Sequence, residues 1–132
     1  MAATNLIVTG DLHSGKSTLV RSVLERLSFP YLGILSMPII RGAQRVGFAL
    51  RRVGESHIDI FAHEDFQSAT QYDRYFVKDE PFQHAAEYLM ACLKHDVQLI
   101  VVDEVGVMEN HIAMYLKAVK AVLDSTTNSL MV

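Results

Sequence analysis

Gly10-Asp11-Leu12-His13-Ser14-Gly15-Lys16-Ser17-Thr18 decides the fold. It fits G-x-x-x-x-G-K-[ST], the Walker A pattern, at every fixed position. Before it stands Asn5-Leu6-Ile7-Val8-Thr9, whose apolar, β-branched centre reads as a buried strand over Leu6–Val8. After it, Leu19, Val20, Val23, Leu24 and Leu27 recur at helical spacing and predict a helix over Lys16–Ser28. Strand, glycine loop and helix, in that order, make a phosphate site of the pattern. Glycines let successive backbone N–H groups converge on phosphate oxygens. The helix start adds unpaired N–H groups and the positive end of its dipole. Gly10, Asp11, Leu12, His13, Ser14, Gly15, Lys16, Ser17 and Thr18 are therefore assigned to nucleotide binding. Lys16 reaches the β- and γ-phosphates, and the Ser17 hydroxyl completes the shell of a Mg²⁺ on those phosphates. His13 occupies a variable position and reads as a tolerated surface side chain.

Leu99-Ile100-Val101-Val102 is a continuous apolar run, suited to a strand covered on both faces, and it ends in Asp103-Glu104. This is the Walker B pattern. In open α/β sheets ligands bind beyond the carboxyl ends of the strands, so both motifs should face one crevice. Asp103 is then the metal-side acid. Glu104, one residue on, is placed to accept the proton of an attacking water. Phosphoryl transfer also gains from a cation near the transferred group. Arg41, Arg45 and Arg74 are the candidates, each with an ordinary alternative as a solubilising surface residue. Arg45 and Arg74 are carried forward as catalytic candidates with Lys16 and Glu104.

The chain of 132 residues suffices for a single domain over 1–132. Half of it is hydrophobic and a fifth charged, as in ordinary globular proteins. Net charge is −3 with both signs interspersed, so nucleic acid is not an expected partner. Cys92, the only cysteine, excludes an intrachain disulfide and reads as a buried thiol beside Leu89, Met90 and Leu93. The histidines are scattered without metal-ligand spacing. No signal peptide and no membrane-length apolar run is visible, which sets the expectation of a soluble cytoplasmic protein.

Tyr31–Ser36 predicts a second strand, with Pro38 and Arg41-Gly42-Ala43 marking a turn. Gln44–Val53 and His57–Ala62 alternate apolar residues around Gly54-Glu55 and predict an antiparallel hairpin. His63–Lys78 lacks periodicity and reads as an irregular loop. Asp79-Glu80-Pro81 starts a helix with the stripe Phe82, Ala85, Ala86, Leu89, Met90 and Leu93. Another helix spans Asn110–Asp124 with Asn110 as N-cap, and Ser129 begins a last strand. The expected class is an α/β P-loop sandwich of three layers, its central sheet mostly parallel with an inserted antiparallel hairpin.

Gln44-Arg45-Val46-Gly47-Phe48, Tyr75-Phe76-Val77 and Ile100-Val101-Val102-Asp103-Glu104-Val105-Gly106-Val107-Met108-Glu109 carry a resemblance over nearly the whole chain. Their order resembles the nucleoside-triphosphatase family of the thermophilic bacterial and human cancer-related enzymes. The resemblance implies Mg²⁺-dependent hydrolysis of nucleoside triphosphates to diphosphate and phosphate, with broad base preference and slow turnover. It carries over Lys16 and Ser17 as phosphate and Mg²⁺ groups, Asp103 as metal-side acid and Glu104 as water activator. Glu109 matches a family position of open role. The sequence departs from the family at Ile34–Ile40, where apolar residues replace charge, and at Asp73-Arg74, where Gly-Lys is usual. Family members also continue past the strand near Ser129 into a tail that completes the sheet and the base-binding side. An incomplete edge invites pairing with another chain, a second copy or a protein partner. A nucleotide-binding accessory protein with little hydrolysis and a nucleotide or small-molecule kinase stay open as alternatives.

Overall fold

A computed structural model describes residues 3–11, 15–103 and 112–132. In chain order the elements are β1 (Asn5–Ile7), α1 (Lys16–Glu25), β2 (Leu32–Arg41), β3 (Gln44–Arg52), β4 (Ile58–His63), β5 (Thr70–Tyr72), β6 (Tyr75–Val77), α2 (Glu80–Cys92), β7 (Ile100–Asp103), α3 (Ala113–Asp124) and β8 (Ser129–Met131). They build one eight-stranded sheet in the order β1-β8-β7-β2-β3-β4-β6-β5. β1, β8, β7 and β2 run parallel, and the rest pair antiparallel.

Alternation along β7 sorts the layers. Val101 points to one face and packs with Val20 and Leu24 of α1, Leu35 and Leu130. Ile100 and Val102 point to the other, into a larger core with Phe82, Ala86 and Leu89 of α2 and Tyr115, Ala118 and Val122 of α3. Of the run predicted to be covered on both faces, Ile100, Val101 and Val102 are fully buried and Leu99 partly so. The α/β sandwich of three layers is therefore as expected, with an antiparallel half larger than one hairpin.

Four local expectations are corrected. β1 is exposed along its length, with Leu6 at 59% and Ile7 at 57%. Among the described residues it is an edge strand paired only with β8, and the buried residues of α1 pack on β2, β7 and β8 instead. The first helix stops at Glu25 rather than Ser28, because the N–H groups of Arg26 and Leu27 turn to the carbonyls of Val23 and Leu24, a tightened last turn. Pro38 lies inside β2, opposite Phe48, instead of ending it. Past Leu35 that strand has β3 as its sole neighbour among the described residues, and proline is tolerated where one side of a strand makes no ladder. Within 63–78 the short strands β5 and β6 form an edge hairpin whose turn places Asp73 at φ 55. Three-residue strands half open to solvent leave too little alternation for pattern to register. The Asn110 cap lies outside the described residues; α3 itself begins at Ala113.

The β3–β4 turn is fastened by charge at the opposite end of the sheet from the loop. Arg52 meets Asp59 at 3.0 Å and Glu55 at 3.3 Å, and His57 meets the other Asp59 oxygen at 2.5 Å. Burial pushes the Asp59 carboxyl up, but hydrogen bonds and charge from Arg52 and His57 outweigh it and hold the group below the usual range. A carboxyl lowered on folding contributes stability above its unfolded value, lost as pH falls through the folded one. Urea melts of the parent should therefore weaken below about pH 4, and Asp59→Asn should flatten that acid limb.

Gly33 is the tightest backbone contact described. At φ +140, a Cβ there would stand 2.0 Å from the carbonyl oxygen of Val101 and 2.7 Å from its nitrogen. No rotamer change relieves a clash with backbone. Gly33→Ala should cost on the order of 3 kcal/mol or more in chemical denaturation, against well under 1 kcal/mol for a surface control.

Candidate active site

Each half of the site follows from where a strand stops. β1 ends at Ile7 beside Met131 of β8, and β7 ends at Asp103 beside Leu35 of β2. Both carboxyl ends lie on one side of the sheet because these strands are parallel. Gly10, at φ 157, and Gly15, at φ 88, adopt backbone that favours glycine. Gly15 is the N-cap of α1, with no side chain capping it. A Cβ there would meet nothing within 4 Å, so backbone conformation rather than crowding demands glycine. The first bond back to the cap carbonyl is made by the N–H of Leu19, at 2.9 Å. The amides of Lys16, Ser17 and Thr18 begin the helix ahead of that bond, as donors of the kind that anions take up.

Lys16 donates from Nζ to the Gly10 carbonyl at 2.6 Å, tying the two ends of the loop through its own cation. Ser17 donates from Oγ to Oδ1 of Asp103 at 3.0 Å. This bond joins the two sequence motifs across 86 positions. Alternation accounts for it: Asp103 shares the α1-side face with Val101. The Asp103 side chain is fully buried. A hydroxyl and a carboxylate side by side are hard oxygen donors. They suit Mg²⁺, which takes one or two protein oxygens and completes its shell with phosphates and water.

The structure thus brings Gly10, Gly15, Lys16, Ser17 and Asp103 together. Leu12, His13, Ser14 and Glu104 lie outside the described residues. The arginines stand apart, on the part of the β2–β3 hairpin that projects past the Leu35–Asp103 pair and on the β5–β6 hairpin beside it. Arg41 pairs with Asp65 at 3.0 Å, and that hydrogen bond holds the Asp65 carboxyl below its usual range. Arg74 pairs with Glu64 at 2.7 Å and donates to the Arg45 carbonyl at 2.6 Å. Tyr75 donates its hydroxyl to the same carbonyl at 3.2 Å. Arg45 forms no ion pair among the described residues, and its buried Nε has no hydrogen-bond partner there. Sequence spacing did not separate these three. Gly47 is the residue that carried a signal: a Cβ on it would lie 2.4 Å from the Ala62 carbonyl oxygen, marking an irregular, close-packed strand next to Arg45.

Strand order, the positive-φ glycines at both ends of the loop and the Ser17–Asp103 contact define a P-loop α/β domain. A family model described as NTPase matches residues 5–132, and the chain belongs to that family. It is 31% identical over 131 residues to the nucleoside-triphosphatase THEP1 of Methanopyrus kandleri, covering 97% of this chain and 72% of that one. It is also 31% identical over 122 residues to the protein of the same name from Korarchaeum cryptofilum, covering 90% and 63%. The chain thus spans somewhat under two thirds to under three quarters of these relatives. The crystal structure of THEP1 from Aquifex aeolicus superposes with a TM-score of 0.81 at 25% identity, over 97% of this chain and 75% of that one. The solution structure of a human cancer-related nucleoside triphosphatase shares the fold, with a TM-score of 0.68 at 21% identity.

Lys16→Ala removes the cation from the loop and should lower affinity for ATP by about a hundredfold or more in equilibrium titration, without loss of fold by circular dichroism. Undiminished affinity would remove the phosphate assignment from the loop.

Proposed function

We propose that this protein binds a nucleoside triphosphate at the P-loop and hydrolyses it to diphosphate and phosphate. The observation that carries the proposal is the 3.0 Å bond between Ser17 and Asp103, which sets a metal-side hydroxyl and carboxylate beside the phosphate loop. The family membership and the names of the relatives support the same reaction.

Lys16 and the amides at the start of α1 hold the β- and γ-phosphates. Ser17 and Asp103 hold Mg²⁺, which when bound neutralises charge on the phosphate oxygens. Glu104 takes a proton from water as its oxygen bonds to the γ-phosphorus. The bond from that phosphorus to the β–γ bridging oxygen breaks, and the electron pair leaves with the diphosphate. A cation from the β2–β3 and β5–β6 hairpins, where Arg45 and Arg74 stand, offsets the developing charge. Base preference is broad and turnover slow, and the protein works in the cytoplasm, where a lone buried thiol stays reduced. Another strand, from a second copy or a protein partner, pairs with the open edge of β1.

Glu104→Gln tests the assignment. With Mg²⁺ and a panel of nucleoside triphosphates, the parent should release phosphate. The variant should bind as tightly and turn over about a hundredfold or more slowly. Diphosphate formation that requires an added hydroxyl acceptor, without free phosphate, would indicate a kinase instead. Tight binding without release by the parent would indicate an accessory nucleotide-binding protein.

A further inference from the structure

We infer that Arg21, on the P-loop helix itself, donates to the γ-phosphoryl oxygens during transfer and is a catalytic residue that neither sequence motif includes. This rests on the hydrolase proposal above and adds a second cation to the one drawn there from the hairpins. Arg21 and Ser17 lie four positions apart on α1, so they share one flank, with Cβ atoms roughly 5–6 Å apart. That flank is turned to β7 and β2, because Ser17 donates to Asp103 and the Arg21 guanidinium donates to the Ser36 carbonyl at 3.3 Å. Long side chains on a helix lean toward its N-terminus. The Arg21 cation is therefore carried along α1 toward the phosphate loop rather than away from it.

The Ser36 carbonyl fixes where that cation stands. Successive residues of β2 turn their backbone groups to alternate neighbours. The Leu32 N–H bonds the Leu99 carbonyl, on the β7 side, and the Gly33 carbonyl accepts from the Val53 N–H, on the β3 side. Ser36 has the parity of Leu32, so its carbonyl faces the β7 side. But β7 ends at Asp103, level with Leu35. The Ser36 carbonyl therefore points past the carboxyl end of β7, where open α/β sheets bind ligands. Ser36 is one step along β2 and one strand across from Asp103, roughly 6 Å between Cα atoms. A guanidinium bonded to its carbonyl stands beside the Ser17–Asp103 pair. It also comes from the helix that covers the face holding that pair, so no movement of the backbone is needed to bring it there.

The guanidinium keeps its charge available. Among the described residues it forms no ion pair, and Ser36 is its one hydrogen-bond partner. Arg41 and Arg74, in contrast, are committed to Asp65 and Glu64. A bond to one carbonyl leaves most of the five N–H donors of an arginine unused. Those that remain can meet two phosphoryl oxygens at once, the forked geometry that a lysine lacks. Ser36 thus orients the fork without neutralising it. As the water oxygen bonds to the γ-phosphorus, the bridging bond breaks and its electron pair leaves with the diphosphate. Arg21 donates hydrogen bonds to the γ-phosphoryl oxygens throughout and moves no proton.

The test compares parent, Arg21→Ala, Arg21→Lys and Arg26→Ala with Mg²⁺ and ATP. Arg26 is an exposed cation at the C-terminal end of the same helix, and its loss should leave turnover within about twofold of the parent. Arg21→Ala should lose about a hundredfold or more in kcat, while KM for ATP changes by less than about fivefold. It should lose selective affinity for ADP with aluminium fluoride, a mimic of the transferring phosphoryl group, and keep the parent's affinity for ADP alone. Arg21→Lys should fall between parent and alanine, because a point charge replaces the fork. The urea midpoint of Arg21→Ala should match the parent's, since the side chain removed is exposed. Turnover of Arg21→Ala within about threefold of the parent, while Lys16→Ala is inactive, overturns the inference and leaves the hydrolase proposal standing. Equal losses of affinity for ADP and for ADP with aluminium fluoride also overturn it, since they mark a structural tie between α1 and β2. A parent that binds ATP and releases no phosphate overturns both.

Discussion

The parallel pairing of β7 between β8 and β2 is the constraint on which the rest of the structure depends. Its register brings Asp103 level with Leu35 on one side and sets Val102 beside Met131 on the other. β1 pairs with β8 in the same direction, so the loop that follows it emerges on the Asp103 side. The absence of a side chain at Gly33 permits this register, since any Cβ there would strike the β7 backbone. β2 then continues past Leu35 to Arg41 with β3 as its sole neighbour among the described residues. One register thus places the carboxylate, the loop and the projecting hairpin on the same side of the sheet.

How much of this was legible in the chain depended on whether neighbours reinforced a pattern. The glycine loop and the Leu99–Val102 run are dense local signals: Gly10 and Gly15 adopt backbone that favours glycine, and Ile100–Val102 are buried on both faces. β1 carries the same apolar pattern, yet Leu6 and Ile7 are exposed. A strand's composition reports its suitability for burial, while its position in the sheet decides whether anything covers it. The reach of β2 through Pro38 was hidden for a related reason: proline is a turn signal unless the strand has an open side. β5 and β6 are too short for alternation to show.

The arginines illustrate the limit more sharply. Nothing in the spacing of Arg41, Arg45 and Arg74 predicts that two are paired and one is not, because their partners Asp65 and Glu64 reach them through the strand pairing. An enclosed donor without a partner costs about 1–3 kcal/mol. The ring of Phe48 returns some of that through contact with the guanidinium, typically about 0.5–1 kcal/mol at sites open to solvent. The balance is unfavourable to folding. A protein able to neutralise Arg41 and Arg74 within the same hairpins shows no equivalent partner for Arg45 among the described residues.

The placement of the P-loop strand at a sheet edge raises the question of what holds it, since burial contributes little. Polar side chains supply the answer. Ser129 donates from Oγ to Oδ1 of Asn5 at 2.7 Å, and Nδ2 of Asn5 reaches the Leu123 carbonyl at the end of α3, at 2.9 Å. The Thr4 N–H donates to Oδ1 of Asn128 at 2.9 Å, and beyond the strand the Val8 N–H continues the ladder to Met131 at 2.8 Å. Asn5 therefore ties the entry of β1 to both β8 and the α3 layer on the far side of the sheet from α1. Leu19 and Val23 on α1, exposed at 55% and 42%, show that the helix does not lean over β1 to compensate. The strand is thus fixed at its entry by amides and hydroxyls and at its exit by a backbone bond and the Lys16 bridge to Gly10, while its outer edge makes no ladder among the described residues. Anything that pairs with that edge acts on the same strand from which the phosphate loop starts.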